Sequence, residues 1–391
     1  MRFKRVCLIV LDSVGIGELP DALAYGDRGA HTLGHIAEQV QQFHIPHLAH
    51  LGLTQIEPLQ GMKANQRPLA YYGKMAEMSV GKDTLTGHWE LMGLHVSIPF
   101  KVFPQGFPRA LIKEFEQKTG RAVIGNKVAS GTEILQELAE EQKRTGSWIV
   151  YTSADSVFQI AAHEDIIPLQ ELYHACEIAR QLTMDDEYAV GRVIARPYVG
   201  SQGVYQRTAN RHDYVVQPPA KTVMNHLQDT HYDVIAIGKI SDIYANEGVT
   251  RSIHTSSNRD GIEQVIQTMA CPFTGLCFAN LVDFDSLYGH RRDPQGYAQA
   301  LMAFDQELPR ILQGIQQNDL LIITADHGND PTHRGTDHTR EYVPLLVYSP
   351  SFQSSSSIGT RDTFADVAAT IADNFQVRAP QIGTSFLQQL K

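Results

Sequence analysis

Short apolar runs rich in β-branched residues recur along this 391-residue chain. Val6–Leu11, Trp148–Thr152, Val234–Gly238, Leu276–Val282, Leu320–Thr324 and Val343–Tyr348 are too short for helices, and each is bounded by polar or turn-forming residues. Such runs predict strands covered on both faces. Between them lie stretches with helical spacing, including Ala298–Gln313 and Thr363–Asn374, the latter with Asp362 as its expected N-cap. Strands alternating with helices predict an α/β core, a mainly parallel sheet sandwiched by helices.

Two proline clusters interrupt the pattern, one at Pro99, Pro104 and Pro108 and the other at Pro218-Pro219. About a hundred residues with strands and helices of their own lie between them. Domain crossings favour such segments, so residues 1–98 and 218–391 are expected to form the core, and 99–217 a smaller α+β cap domain inserted into it. The length points the same way, since single cores stop growing near 250–300 residues.

Composition narrows the function. With 42% hydrophobic and 19% charged residues, the chain reads as an ordinary globular protein. A formal charge of -10 argues against a general nucleic-acid binder but leaves room for a small anionic substrate at a local basic cluster. No stretch approaches the roughly 18–20 apolar residues of a membrane span. The basic start, Met1 to Arg5, followed by Val6–Leu11, mimics a signal peptide only briefly and runs into Asp12. Cys7, Cys176, Cys271 and Cys277 form no CxxC pair, so neither a disulfide framework nor a thiolate zinc site is expected, and the cytoplasm is the expected compartment.

The candidate chemistry sits just beyond the strands. Asp12 follows the first run; Asp283 and Asp285 follow Leu276–Val282, with His290 shortly after. Asp326 and His327 follow Leu320–Thr324, and His338 lies in Thr336-Asp337-His338-Thr339. Ligands of open α/β sheets bind outside the carboxyl ends of the strands. One Asp after a strand is as readily a turn or cap residue; three clusters at three strand ends favour a metal site. Carboxylates with imidazoles and no thiolate suit manganese, magnesium or zinc, and two such ions can clamp both oxygens of a phosphoryl transfer. Gly81-Lys82-Asp83-Thr84-Leu85-Thr86-Gly87-His88-Trp89-Glu90 has two readings: a capped turn opening a helix, or a hydroxyl presented as a nucleophile.

Taken together, Asp12-Ser13-Val14-Gly15, the run 81–90, Asp283-Phe284-Asp285 through Gly289-His290-Arg291-Arg292-Asp293, Thr324-Ala325-Asp326-His327-Gly328 and Thr336–Thr339 resemble the phosphopentomutases of the alkaline phosphatase superfamily. The resemblance covers nearly the whole chain. It implies an alkaline-phosphatase-like core and two divalent cations, manganese first among them. One would be held by Asp12, Asp326 and His327 and the other by Asp285, His290 and His338, with Asp283 as a possible substitute for Asp285 on the ground of strand alternation. Thr84 would be the phosphorylated nucleophile, ahead of Thr86. Ser153, Ala154 and Asp155 resemble the family's sugar-binding stretch, and Arg192, Ile194, Arg207 and Lys239 its phosphate-binding positions. The implied activity interconverts ribose 1-phosphate and ribose 5-phosphate, and the deoxyribose equivalents, through phosphothreonine and a 1,5-bisphosphate, with a sugar bisphosphate as primer. A hydrolase or phosphoglycerate mutase on the same core is the alternative; a three-carbon acid needs a base for its carboxylate, whereas Asp155 suits a polyhydroxyl sugar. A metal-stabilised binding module would need no nucleophile.

Overall fold

In the computed structural model, fourteen strands carry the chain through two sheets, over the described residues 1–65, 67–153, 156–184, 187–201 and 203–391. The chain opens with β1 (Arg5–Leu11) and β2 (Tyr71–Met75). Then come β3 (Val123–Val128), β4 (Trp148–Thr152), β5 (Val157–His163), β6 (Arg192–Ser201), β7 (Val204–Arg207) and β8 (His212–Val215). It closes with β9 (Asp233–Ile237), β10 (Arg251–Ile253), β11 (Gly275–Leu281), β12 (Asp319–Thr324), β13 (Val343–Tyr348) and β14 (Ser357–Arg361). Contacts divide the chain into two compact units, one of residues 1–97 and 218–391 and the other of residues 98–217.

The first unit holds an eight-stranded sheet in the order β10-β9-β11-β1-β12-β13-β2-β14. From β10 to β12 neighbouring strands pair in parallel, and β13 runs against its neighbours β12 and β2. Every residue of β1, β11 and β12 is buried, as parallel strands covered on both faces require. Helices flank the sheet in packed groups. Thr32–Gln39, Pro46–Leu51 and Asn258–Ala270 pack on the long helix Pro294–Gly314, while Thr84–Leu91 and Val223–Asp229 pack on Ala365–Phe375.

A buried ion pair fixes the start of the sheet. Arg5 Nε and Nη2 donate to the two carboxylate oxygens of Asp319 at 2.8 and 2.5 Å, joining β1 to β12, and Nη1 donates to the Met269 carbonyl. The second unit carries the sheet β3-β4-β5-β6-β7, with β8 also on β6. Its own apolar core is built around Phe107, Phe115, Trp148 and Phe158.

The last long helix departs from expectation. It begins at Ala365, not Thr363, and Asp362 does not cap it. Glu90 Oε1 instead accepts from Thr363 Oγ1 and Phe364 N, while Thr363 Oγ1 accepts from Ala365 N. Among the described residues no helix is long and apolar enough to cross a membrane, and none of the four cysteines is disulfide-bonded.

Candidate metal centre

Because β11, β1 and β12 are parallel neighbours, the residues that follow them emerge on one edge of the sheet. Asp12 leaves β1 with its N–H on the Leu281 carbonyl. Ser13 then takes a left-handed conformation, φ 73°, which costs a non-glycine residue about 1–2 kcal/mol. That turn aims Ser13 N at Asp326 Oδ1, 3.1 Å away, and Ser13 Oγ at the Tyr297 hydroxyl, 2.9 Å away. Asp326 and His327 leave β12. Donor atoms of Asp12, Asp326 and His327, all buried, lie within 4.8 Å of one another.

A second group within the same distance joins Asp285, His338 and again His327. His290 stands beside it, its Nε2 3.2 Å from Asp285 Oδ2 and 3.1 Å from His338 Nε2. All six expected metal residues therefore converge, and His327 adjoins both groups. Asp283 does not join them. The strand ends at Leu281 and residues 284–289 wind into a wide helical turn, so strand alternation does not apply; Asp283 accepts from Asn258 N instead.

The electrostatics are those of a cation site. Burial, and then the carboxylates of Asp326 and Asp285, push Asp12 up to about 6. For His327 burial opposes the charge, but Asp326, Asp12 and Asp285 outweigh it and lift the imidazole to about 9. Burial also works against Asp285 and Asp326, yet His338 and His327 respectively hold these carboxyls below the usual range. Asp12 Oδ1 and Asp326 Oδ2 are buried without a hydrogen-bond partner. His88 Nδ1 does lie 2.9 Å from that Asp326 oxygen, but its aligned hydrogen bond goes to the Thr84 carbonyl. Buried orphan carboxylate oxygens are costly unless they coordinate a cation. Carboxylate and imidazole donors fit a divalent metal.

Thr84 opens the helix Thr84–Leu91, as the capped-turn reading of the 81–90 run expects. Asp83 is the N-cap, its Oδ1 accepting from Leu85 N and Thr86 N. Thr86 spends its hydroxyl on Asp83 Oδ2 at 2.6 Å. Thr84 Oγ1 lies 3.2 Å from His327 Nε2, the imidazole that adjoins both donor groups. Gly87 makes this approach possible, since a Cβ there would sit 2.0 Å from the Asp326 carbonyl oxygen.

Sequence reasoning missed the groups that hold the ligands. Asn280 Nδ2 donates to Asp12 Oδ2 at 2.8 Å and lies 3.1 Å from His88 Nε2. Asn329 Nδ2 donates to Asp285 Oδ1 at 2.7 Å. Arg340 Nη1 donates to Glu77 Oε2 and the Gly81 carbonyl at 2.7 and 2.6 Å, fastening the segment before Thr84. Only Asn280 left a signal, as an amide inside an otherwise apolar buried strand.

Lys239 follows β9, whose end lies on the same edge of the sheet. In the second unit, Ser153 follows β4, Arg192 and Ile194 lie on β6, and Arg207 ends β7. Ala154 and Asp155 lie outside the described residues. Arg196 and Arg211 join Arg192 and Arg207 in one basic cluster around Tyr151 and Asp213. Burial, and then the charge of Arg211, lower Arg196 to about 10. Asp213 is lowered despite burial, first through the paired Arg211 and then through Arg192 and Arg196.

An alkaline-phosphatase-like α/β fold with buried Asp and His groups at its strand ends defines a metal-dependent enzyme. The sequence matches the metalloenzyme superfamily over residues 4–379, and the chain belongs to that superfamily. The fold is similar to that of Leishmania mexicana phosphoglycerate mutase, with a TM-score of 0.50 and 13% identity over 98% of this chain and 97% of that one. The PH0037 protein of Pyrococcus horikoshii gives a TM-score of 0.49 and 11% identity over 98% of this chain and 100% of that one. An alkaline phosphatase superfamily protein of Vibrio parahaemolyticus gives 0.44 and 10% over 100% and 71%.

Proposed function

We propose that this chain is a phosphopentomutase, moving phosphate between carbon 1 and carbon 5 of ribose or deoxyribose in the cytoplasm. The observation that carries the reading is the Thr84 hydroxyl, 3.2 Å from the histidine adjoining both donor groups, at the first turn of a capped helix. Asp12, Asp326 and His327 would hold one divalent cation and Asp285, His290 and His338 the other, manganese being the first candidate. Bound there, the two ions would neutralise phosphoryl oxygens and lower the pKa of the Thr84 hydroxyl.

The rest of the chemistry belongs to the chain. Phosphorylated Thr84 hands its phosphoryl group to the free hydroxyl of a pentose monophosphate. The sugar oxygen bonds phosphorus as the Thr84 Oγ–P bond breaks, and the proton it loses ends on Thr84 Oγ, which becomes a free hydroxyl again. The resulting 1,5-bisphosphate returns its other phosphate to Thr84, so a sugar bisphosphate serves as primer. The helix N-terminus favours the phosphothreonine charge. Ser153, Ala154 and Asp155 are assigned to the sugar, and Arg192, Ile194, Arg207 and Lys239 to its phosphate, where a planar guanidinium fork suits two oxygens.

Purified protein primed with a sugar bisphosphate should convert ribose 1-phosphate to ribose 5-phosphate with manganese, and lose that activity to a chelator. Turnover of 3-phosphoglycerate or p-nitrophenyl phosphate, with none of the pentose phosphate, would replace the reading with one of its rivals.

A further inference from the structure

One side chain outside the donor groups touches the backbone on three sides of them. Arg292 takes a left-handed conformation, φ 55°, and spreads its guanidinium across the loops. Nη1 donates to the Gly289 carbonyl at 3.0 Å, to Asn329 Oδ1 at 2.5 Å and to the Asp330 carbonyl at 3.0 Å. Nε donates to the Gly335 carbonyl at 2.5 Å, and Nη2 to the Asp337 carbonyl at 2.8 Å. These acceptors stand next to His290, shortly after His327 and just before His338. Asn329, its amide oxygen fixed by Arg292, turns its Nδ2 to Asp285 Oδ1. Gly289 leaves the space for that amide, since a Cβ there would sit 2.7 Å from Asn329 Nδ2.

We propose that Arg292, acting through Asn329, is the positioning residue of the Asp285 metal site. It sets the carboxylate of Asp285 and the approach of His290 and His338 before the ion arrives. The fixed fork of a guanidinium is needed because the acceptors lie in several directions. Such outer partners typically govern 10–100-fold in metal affinity. The proposal rests on the metal assignment above but not on the pentose substrate.

The test compares the wild type with Arg292→Met, Arg292→Lys and Asn329→Ala, each loaded with manganese and desalted. Bound metal is counted by plasma mass spectrometry and affinities are taken from calorimetric titration with manganese alone. The wild type should hold two equivalents. Arg292→Met and Asn329→Ala should keep one with unchanged affinity and bind the other at least tenfold more weakly, with Arg292→Lys in between. Where turnover is measured, added manganese should restore kcat while KM for the sugar phosphate stays constant. Two equivalents at wild-type affinity in both Arg292→Met and Asn329→Ala would overturn the proposal, as would a wild type that binds no metal. If Arg292→Met is unfolded by circular dichroism, Asn329→Ala decides alone; equal weakening of both sites there would show a merely structural role. A folded protein that binds two ions yet fails to turn over pentose phosphate would leave this inference standing and remove only the substrate.

Discussion

Thr84 and Thr86 are two residues apart on one turn, yet the structure gives their hydroxyls different work. Thr86 Oγ1 donates to the capping Asp83, whereas Thr84 Oγ1 lies against His327. Thr84→Ala should therefore abolish phosphoryl incorporation from a sugar bisphosphate, as read by intact-mass spectrometry, with metal content retained. Thr86→Ala should lose about 1 kcal/mol of stability and keep the phosphoenzyme; phosphate found on Thr86 instead would reverse the assignment. Glu341, which is not itself one of the expected ligands, offers a pH test. Burial raises its carboxyl to about 7 despite hydrogen bonds from Thr32 and Thr339. The folded state then keeps a proton that the unfolded chain releases nearer its ordinary value of 4.5. This contribution to stability is complete below that value and is lost as pH rises through about 7. The Tm of the wild type relative to Glu341→Gln should fall between pH 5 and pH 8, and a constant difference would exclude the effect. Single residues were legible where a charge follows a strand, directly as at Asp12 and at Asp326 and His327, or within the next turn as at Asp285. Asn329 and Arg292 were not, because their roles rest on partners brought near only by the folded loops.

At the scale of elements, the apolar runs marked β1, β4, β9, β11, β12 and β13 to within a residue at each end. Their burial on both faces leaves continuous stretches that sequence displays directly. The strand β2, Tyr71-Tyr72-Gly73-Lys74-Met75, escaped notice because it alternates buried and half-buried positions near the edge of the sheet. The misplaced cap at Asp362 has a related cause: the donors at that helix start are met by Glu90, from a helix far away in sequence. Glu90 also accepts from Met78 N and Ser79 N, so it joins the end of its own helix to the start of the last one and to the segment leading to Thr84. Removing it leaves several donors unpaired in the interior. Glu90→Ala should destabilise the protein by about 3–5 kcal/mol in urea unfolding; a loss under 1 kcal/mol would contradict this role. Arg5→Ala, which strands Asp319 at the head of the sheet, is expected to cost about as much.

For the whole molecule, the insertion is the governing fact. Residues 98–217 form one contiguous unit with their own sheet and apolar core, whereas the other unit is assembled from two separated stretches. A fragment of residues 98–217 should thus unfold cooperatively by itself in circular dichroism and take up no manganese. A fragment without a thermal transition would show that its core is insufficient.

This division also sets a timetable during synthesis. The strand β1 pairs only with β11 and β12, so its apolar residues emerge from the ribosome more than 250 residues ahead of their partners. At roughly 5–20 residues per second, that wait lasts on the order of half a minute. The inserted unit ends at residue 217, before β11 begins at Gly275. Meanwhile Val6–Leu11 remains an unpaired hydrophobic edge, the kind of surface that chaperones shield and that nascent chains use to aggregate. A chain ended and released after residue 217 should precipitate or stay chaperone-bound, even with its last 120 residues expected to fold. Products cut short before Asp326 should hold no metal at Asp12, because Asp12 meets Asp326 and His327 only when synthesis is nearly finished.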